Sequence, residues 1–321
     1  DNTDMQRPLE DIRVIEIASS VAANMGGHIL SGLGAEMVKV EMPGEGDPIR
    51  QSGPFPGDMP HREKGGLFLY LNHDKKSITL NLETADGRSL LDKLLLKADV
   101  LLLDLPPREK RRLRLSYTRV HKTNPRIVMA SLSPFGERGP YKDWQATDFT
   151  LSALGGWLYV NGEPSREPLR TNSQLLVEGV LGVMGALGVL AALFRQGING
   201  RGQHVEVSGM ECLLSMNRFH ETTYAYLGQV PQRIGSRLPR TYPYTLLPCR
   251  DGYVAVICIT DDQWERLCAM VGKPELFDDP RFIANSSRDK NADQLRSYLE
   301  EWLAPRGKEE IFHTAQEWRL P

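Results

Sequence analysis

A chain of 321 residues is too long for a small scaffold stapled by disulfides and, at roughly 150 residues per domain, long enough for two domains. Its 39 Lys plus Arg against 41 Asp plus Glu leave a net charge of −2, so no global field draws it to nucleic acid or anionic lipid and any anion site must be local. With 40% hydrophobic and 25% charged residues it falls outside the disordered and fibrous classes, and a folded soluble protein is expected.

The four cysteines (Cys212, Cys249, Cys258, Cys268) form no CxxC pair and the histidines form no HxH or HExxH cluster, so neither a disulfide framework nor a metal site is signalled. The opening Asp1 to Glu10 is polar and acidic, without a signal or transit pattern, which makes the cytoplasm the expected location.

In chain order, Ile12 to Ala18 (IRVIEIA) and Glu36 to Glu41 (EMVKVE) read as strands separated by a helix-length segment, a βαβ unit with a parallel pair. Ile78 to Leu82, Val100 to Leu103 and Ile127 to Leu132 add three strands, with a helix over Ala85 to Lys97, so the first part of the chain reads as an open, doubly wound α/β sheet. The basic run Arg108 to Arg114 (REKRRLR) reads first as a solvated helix face and second as an anion site. Leu175 to Phe194 has the length of a membrane span. Its interior Glu178 and the glycines Gly179, Gly182, Gly185 and Gly188 at every third position favour instead a buried helix that other backbones approach closely. After Asn199 to Gly202, His204 to Ser208 reads as a further strand. Tyr253 to Ile259 opens a second unit, with helices over Asp261 to Val271 and Asp293 to Leu303.

The segments Pro8 to Glu16 (PLEDIRVIE), Leu33 to Glu41 (LGAEMVKVE) and Gly46 to Arg50 (GDPIR) resemble the opening of the class III CoA-transferases. That superfamily also holds the carnitine-type and formyl-CoA transferases and the α-methylacyl-CoA racemases. The resemblance continues in order through Leu71-Asn72, Lys75 to Ser77, Asn124 to Arg126, Phe135-Gly136, Gly139 to Tyr141, Gly200 to Gln203, Asp251 to Val254 and Phe277 to Phe282. It implies a Rossmann-like large α/β domain over 1–225 and a smaller α+β domain over 226–321, in two chains interlocked as a homodimer or a heteromer with an active homologue. It also implies a C-terminal segment returning to the large domain, which is absent from a sequence stopping at Pro321.

In the transferases the nucleophile is an Asp ten residues before the glycine of a GILAAL-like helix segment; counting back from Gly188 in GVLAAL reaches Glu178. The implied substrates are a CoA thioester and a carboxylic acid, with no permanently bound cofactor, no nucleic acid and no membrane as partner. Glutamate supplies the carboxylate the chemistry requires, with one more methylene. The alternative is a buried helix carboxylate held by the N-terminal dipole. Asp148 falls where transferases carry Gly-Tyr-Asp and racemases Gly-His-Asp, and reads as a second pocket carboxylate or as a cap of the helix Phe149 to Leu154.

For CoA itself the resemblance implies contacts at Val21, Ala22, Ala23, Lys39, Leu80, Arg108 and Arg112, with Lys75 and Arg50 adding positive charge. Ala23-Asn24-Met25 replaces the family's Ala-Gly-Pro turn, Leu103 to Arg108 replaces its Glu-Asn-Phe-Arg-Pro-Gly segment, and Glu83 stands where some members have a cation. Three activities remain open: CoA transfer with Glu178 as nucleophile and Asp148 in support, a non-catalytic subunit or half of a fused protein, and an acyl-CoA racemase or lyase. Thr147 in place of the racemase histidine weighs against the last.

Overall fold

The structure, a computed structural model, describes residues 6–170 and 175–321. The chain divides into two compact units: one runs to Trp157 and again from Arg170 to Gln229, the other comprises Leu158–Leu169 and Val230–Pro321. The boundary expected at 225 lies inside the helix Arg218–Leu227. The excursion Leu158–Leu169 joins the second unit because Gly235 donates its amide to Gly162 O at 3.0 Å and Arg233 donates to Tyr159 O at 3.0 Å.

The first unit is built on a six-stranded parallel sheet: β1 (Arg13–Ile17), β2 (Glu36–Glu41), β3 (Lys76–Thr79), β4 (Val100–Leu103), β5 (Val128–Ser133) and β6 (His204–Ser208), in the order β3-β2-β1-β4-β5-β6. The central strands are apolar on both faces, as a sheet covered on both sides requires. Val14, Val100, Leu102, Val128 and Ala130 pack on one face; Ile15, Leu101, Leu103 and Met129 pack on the other. The edge strand β3 is shorter than Ile78 to Leu82. It leaves the ladder after Leu80 donates to Glu41 O, and Thr84 then caps the next helix.

The helices that matter for the site are α1 (Val21–Gly32), α2 (Ala85–Leu95), α3 (Pro107–Arg112), α4 (Asp148–Leu154) and α5 (Leu176–Asn199). α5 has the length and hydropathy of a membrane span. It is nevertheless the core helix of the unit: Val177, Leu181, Ala186, Val189 and Ala192 are buried, packed with α1 and the sheet. Its glycines are what allow this. A Cβ at Gly182 would lie 2.5 Å from Ala22 O, and one at Gly185 would lie 2.7 Å from the Leu132 side chain, both inside van der Waals contact. Gly179, by contrast, faces open space.

The second unit holds an antiparallel pair, β7 (Tyr244–Cys249) and β8 (Gly252–Ile257), with α6 (Asp261–Met270), α7 (Ala292–Leu303) and α8 (Lys308–Glu317) around a core of Trp264, Phe282, Leu295 and Leu299. The sequence reading contained β8 but not β7, whose run YTLLPC is interrupted by Pro248.

The two glycines should respond in opposite ways. Gly182→Val is expected to force α1 and α5 apart and lower stability by about 1–3 kcal/mol. Gly179→Ala is expected to leave stability unchanged or raise it by up to about 1 kcal/mol, since a Cβ there meets nothing and alanine is the better helix former. Urea denaturation of the two variants checks the pair; equal losses would contradict the close approach.

Candidate functional site

The site begins where β1 ends. After Ile17 the chain turns through Ala18, Ser19 and Ser20, and Ser20 caps α1 by accepting the Ala23 amide at 3.3 Å. β4 lies beside β1, so the residue that follows β4, Asp104, arrives under this turn. Its carboxylate accepts the Ser19 amide at 2.9 and 3.1 Å and also the Ser20 amide.

The next amide in line belongs to Val21, and it donates to Glu178 Oε2 at 2.8 Å; the Ala22 amide also bonds this carboxylate. Glu178 is the third residue of α5, one turn before Gly182, so the contact between Gly182 and Ala22 O brings the carboxylate onto the α1 N-terminus. There the partial positive charge of the helix end favours an anion.

Asp148 completes the group from α4. It does not cap its own helix, as one reading of the sequence had it: Thr147 does, in a capping box with Thr150. Asp148 Oδ1 instead accepts the amides of Val177 at 2.6 Å and Glu178 at 3.3 Å, capping α5 from another helix. Three carboxylates thus engage the two helix N-termini: Asp104 and Glu178 at α1, Asp148 at α5.

Their electrostatics follow from burial and from one another. Burial raises the Glu178 carboxyl above the ordinary glutamate value, the Val21 amide opposes this, and the charges of Asp104 and Asp148 push it further up. Asp104 is raised by burial against its amide donors and Asp148 by burial against the Val177 and Glu178 amides.

Beside this group lies a groove of about 360 Å³ at the carboxyl ends of β1 to β4, on the side where ligands bind in open α/β sheets. Ser19, Leu80, Leu105 and Arg112 are among its lining residues. Arg112 is half exposed and already paired, with Glu83 and with Glu109 at 2.6 Å. Glu41, Glu45 and Asp47 also line the groove, so acids outnumber this cation.

The other residues the sequence suggested for anion binding are engaged elsewhere. The Val21 and Ala22 amides face Glu178, and the Ala23 amide is taken by Ser20. Lys39 is 1% exposed beneath α1, paired with Glu16 at 2.9 Å and Asp47 at 2.5 Å; burial lowers its pKa but Glu16 and Asp47 raise it above the ordinary lysine value. Lys75 shares Glu16 from the other side at 2.7 Å, and Arg50 is held by Glu41 and Glu63. Arg108 is exposed on α3. Lys110 points inward to Glu137 and Ser131, and burial lowers it to about 8, so the basic run is not a uniform cationic face.

Asp104 was not singled out from the sequence. A carboxylate directly after the apolar run VLLL is a visible signal, but its meaning depends on β4 lying next to β1.

The sequence profile of CoA-transferase family III matches residues 9–321. The chain belongs to CoA-transferase family III. It is 33% identical over 297 residues to an acetyl-CoA:oxalate CoA-transferase of Acetobacter aceti, covering 92% of this chain and 75% of that one. It is 32% identical over 330 residues to a succinyl-CoA–D-citramalate CoA-transferase of Chloroflexus aurantiacus, covering 97% and 80%. Among solved structures, a protein from Mycobacterium tuberculosis aligns with a TM-score of 0.87 at 29% identity, covering 99% and 84%. A CAIB/BAIF family protein from Brucella suis aligns with a TM-score of 0.83 at 29% identity, covering 99% and 83%. These relatives support an acyl-CoA:carboxylate CoA-transferase.

For this transferase the acidic frame around Arg112 is the feature most open to test. Glu83→Gln is expected to leave Arg112 with Glu109 as its one acidic partner, so that the guanidinium meets a substrate phosphate more readily and the KM for acyl-CoA falls by about 2- to 5-fold, the range of an exposed ion pair. Steady-state kinetics with acetyl-CoA and succinyl-CoA check this; a raised KM would contradict it.

Proposed function

We propose that this chain moves CoA from an acyl-CoA to a free carboxylate through a covalent thioester on Glu178. The observation that supports it is the Glu178 carboxylate lodged on the amides of Val21 and Ala22 at a helix N-terminus, one turn of chain from the groove-lining Ser19.

In the first step a Glu178 oxygen attacks the thioester carbonyl; the C–S bond breaks and leaves a mixed anhydride and the CoA thiolate. The thiolate then attacks the Glu178 carbonyl, the donor acid departs as carboxylate, and Glu178 holds CoA as a thioester. An acceptor carboxylate attacks that thioester to give a second anhydride, and the returning thiolate attacks the acceptor's carbonyl, releasing the new acyl-CoA and regenerating Glu178. In both middle steps negative charge develops on the Glu178 carbonyl oxygen, where fixed amide donors stabilise it without reorganising. Asp148 keeps the first turn of α5 in place by capping it. The groove takes the nucleotide end of CoA, with Arg112 on a phosphate, and no permanently bound cofactor is required. The acceptors named in the two relatives, oxalate and D-citramalate, make small dicarboxylic acids the first acceptors to try.

Incubation with succinyl-CoA followed by intact-mass and peptide analysis tests this reading. A CoA adduct on the Glu178 peptide, discharged by hydroxylamine and absent in Glu178→Gln, is expected. A folded wild-type protein that forms no adduct would contradict it and turn attention to a non-catalytic subunit.

The assembled state belongs to the same proposal. Val183, Leu187, Phe194 and Ile198 form an apolar stripe along α5, with Leu187 59% and Phe194 75% exposed, a face that suits a second copy of the chain in the cytoplasm. A molar mass of two chains by light scattering is expected, falling to one in Leu187→Asp/Phe194→Asp. A monomeric wild type would contradict the homodimer.

A further inference from the structure

Asp104 and Glu178 are fastened to consecutive amides of one turn: Ser19 and Ser20 donate to Asp104, Val21 and Ala22 to Glu178. The two carboxylates come from segments 74 positions apart, and neither needs the other for its hydrogen bonds. Two partly buried anions on one short stretch of backbone repel. Ordinarily a cation would absorb that repulsion. Among the described residues the cation acting on Asp104 is Lys39, and it is already committed to Glu16 and Asp47. From the other side Asp148 adds a third negative charge to Glu178, with Arg170 acting on Asp148 rather than on Glu178. The groove wall includes Ser19, whose amide Asp104 holds, and Leu105, the residue after Asp104, so Asp104 stands at the edge of the space a ligand would enter.

We propose that Asp104 is a positioning residue for CoA transfer, with two effects on Glu178. By gripping the Ser19 and Ser20 amides it fixes the turn that aims Val21 and Ala22 at the nucleophile. By its charge it adds to the effect of burial in raising the pH at which that nucleophile is ionised. The inference rests on Glu178 being the covalent carboxylate.

The sign is fixed by the arrangement. Glu178 attacks as the anion, and a neighbouring anion favours its protonated form, so acylation is lost on acidification at a higher pH than for Glu178 alone. Asp104→Asn keeps one oxygen for the amides and removes the charge, and should move the acid limb to lower pH. Asp104→Ala removes the grip as well, and should lower the plateau by about 10- to 100-fold, the sensitivity of a covalent step to small misplacement. A residue that mattered only for folding would change rates at every pH without moving the limb.

The measurement is the pH dependence of CoA-adduct formation on Glu178 in quenched single turnovers of wild type, Asp104→Asn and Asp104→Ala with succinyl-CoA. An unmoved limb in Asp104→Asn, with Glu178 still labelled, overturns the inference and leaves the proposed function standing. An unlabelled Glu178 in folded wild type overturns both. A second readout does not depend on the Asp104 variants folding. Coupling is reciprocal, so in Glu178→Gln with ¹³C-labelled aspartate the Asp104 carboxyl band in difference infrared spectra should titrate at lower pH than in wild type. An unchanged titration overturns the charge coupling.

Discussion

Where Gly182 meets the carbonyl of Ala22 there is no space for a side chain, and so α5 crosses the first turn of α1 with backbone against backbone. The placement of Glu178 depends on that crossing. One turn before Gly182 its carboxylate reaches the Val21 amide, which a wider crossing would leave out of range. The same crossing buries the most apolar helix of the chain against the sheet. Packing and site therefore rest on the same contact.

A helix N-terminus presents amides that have no partner within the helix. Here the open amides at α1 are satisfied by carboxylates from two distant segments, and those at the start of α5 by Asp148 from a third. Burial keeps all three carboxylates easier to protonate than in water, and at Glu178 the charges of Asp104 and Asp148 add to it, while the amides hold them in place. The two tendencies suit the role proposed for Glu178, a nucleophile fixed in direction yet not over-stabilised as an anion. Beneath the turn, Lys39, Glu16, Lys75 and Asp47 form a nearly dry ion network that ties β1, β2 and α1 together through Asn24. Such a network is costly to break once buried.

Much of the first unit was legible in the sequence because its signals are local. Six short β-branched or leucine-rich runs marked the strands of the sheet, and the spacing of Gly179 to Gly188 pointed to a helix approached by other backbones, which holds at Gly182, whereas Gly185 makes room for the Leu132 side chain and Gly179 faces open space. The count back from Gly188 led to Glu178 without any three-dimensional information. What was not legible depends on which elements become neighbours. The resemblance makes Lys39 a CoA contact, and only the fold shows it committed to Glu16 and Asp47; Asp104 has no assignable role until β4 is placed beside β1. The cap of α5 by Asp148 crosses 29 positions of sequence, so proximity along the chain suggested its own helix instead. In the second unit, Pro248 hid β7 from a search for uninterrupted strand patterns.

In the proposed mechanism the Glu178 carbonyl carries CoA while the α1 amides hold its oxygen. A crystal structure of the protein soaked in acyl-CoA addresses this most directly. Continuous density from the Glu178 side chain to the CoA sulfur is expected, with the thioester oxygen on the Val21 amide and the nucleotide in the groove beside Arg112. CoA seated with its sulfur away from Glu178, and the carboxylate unmodified on Val21, would contradict it.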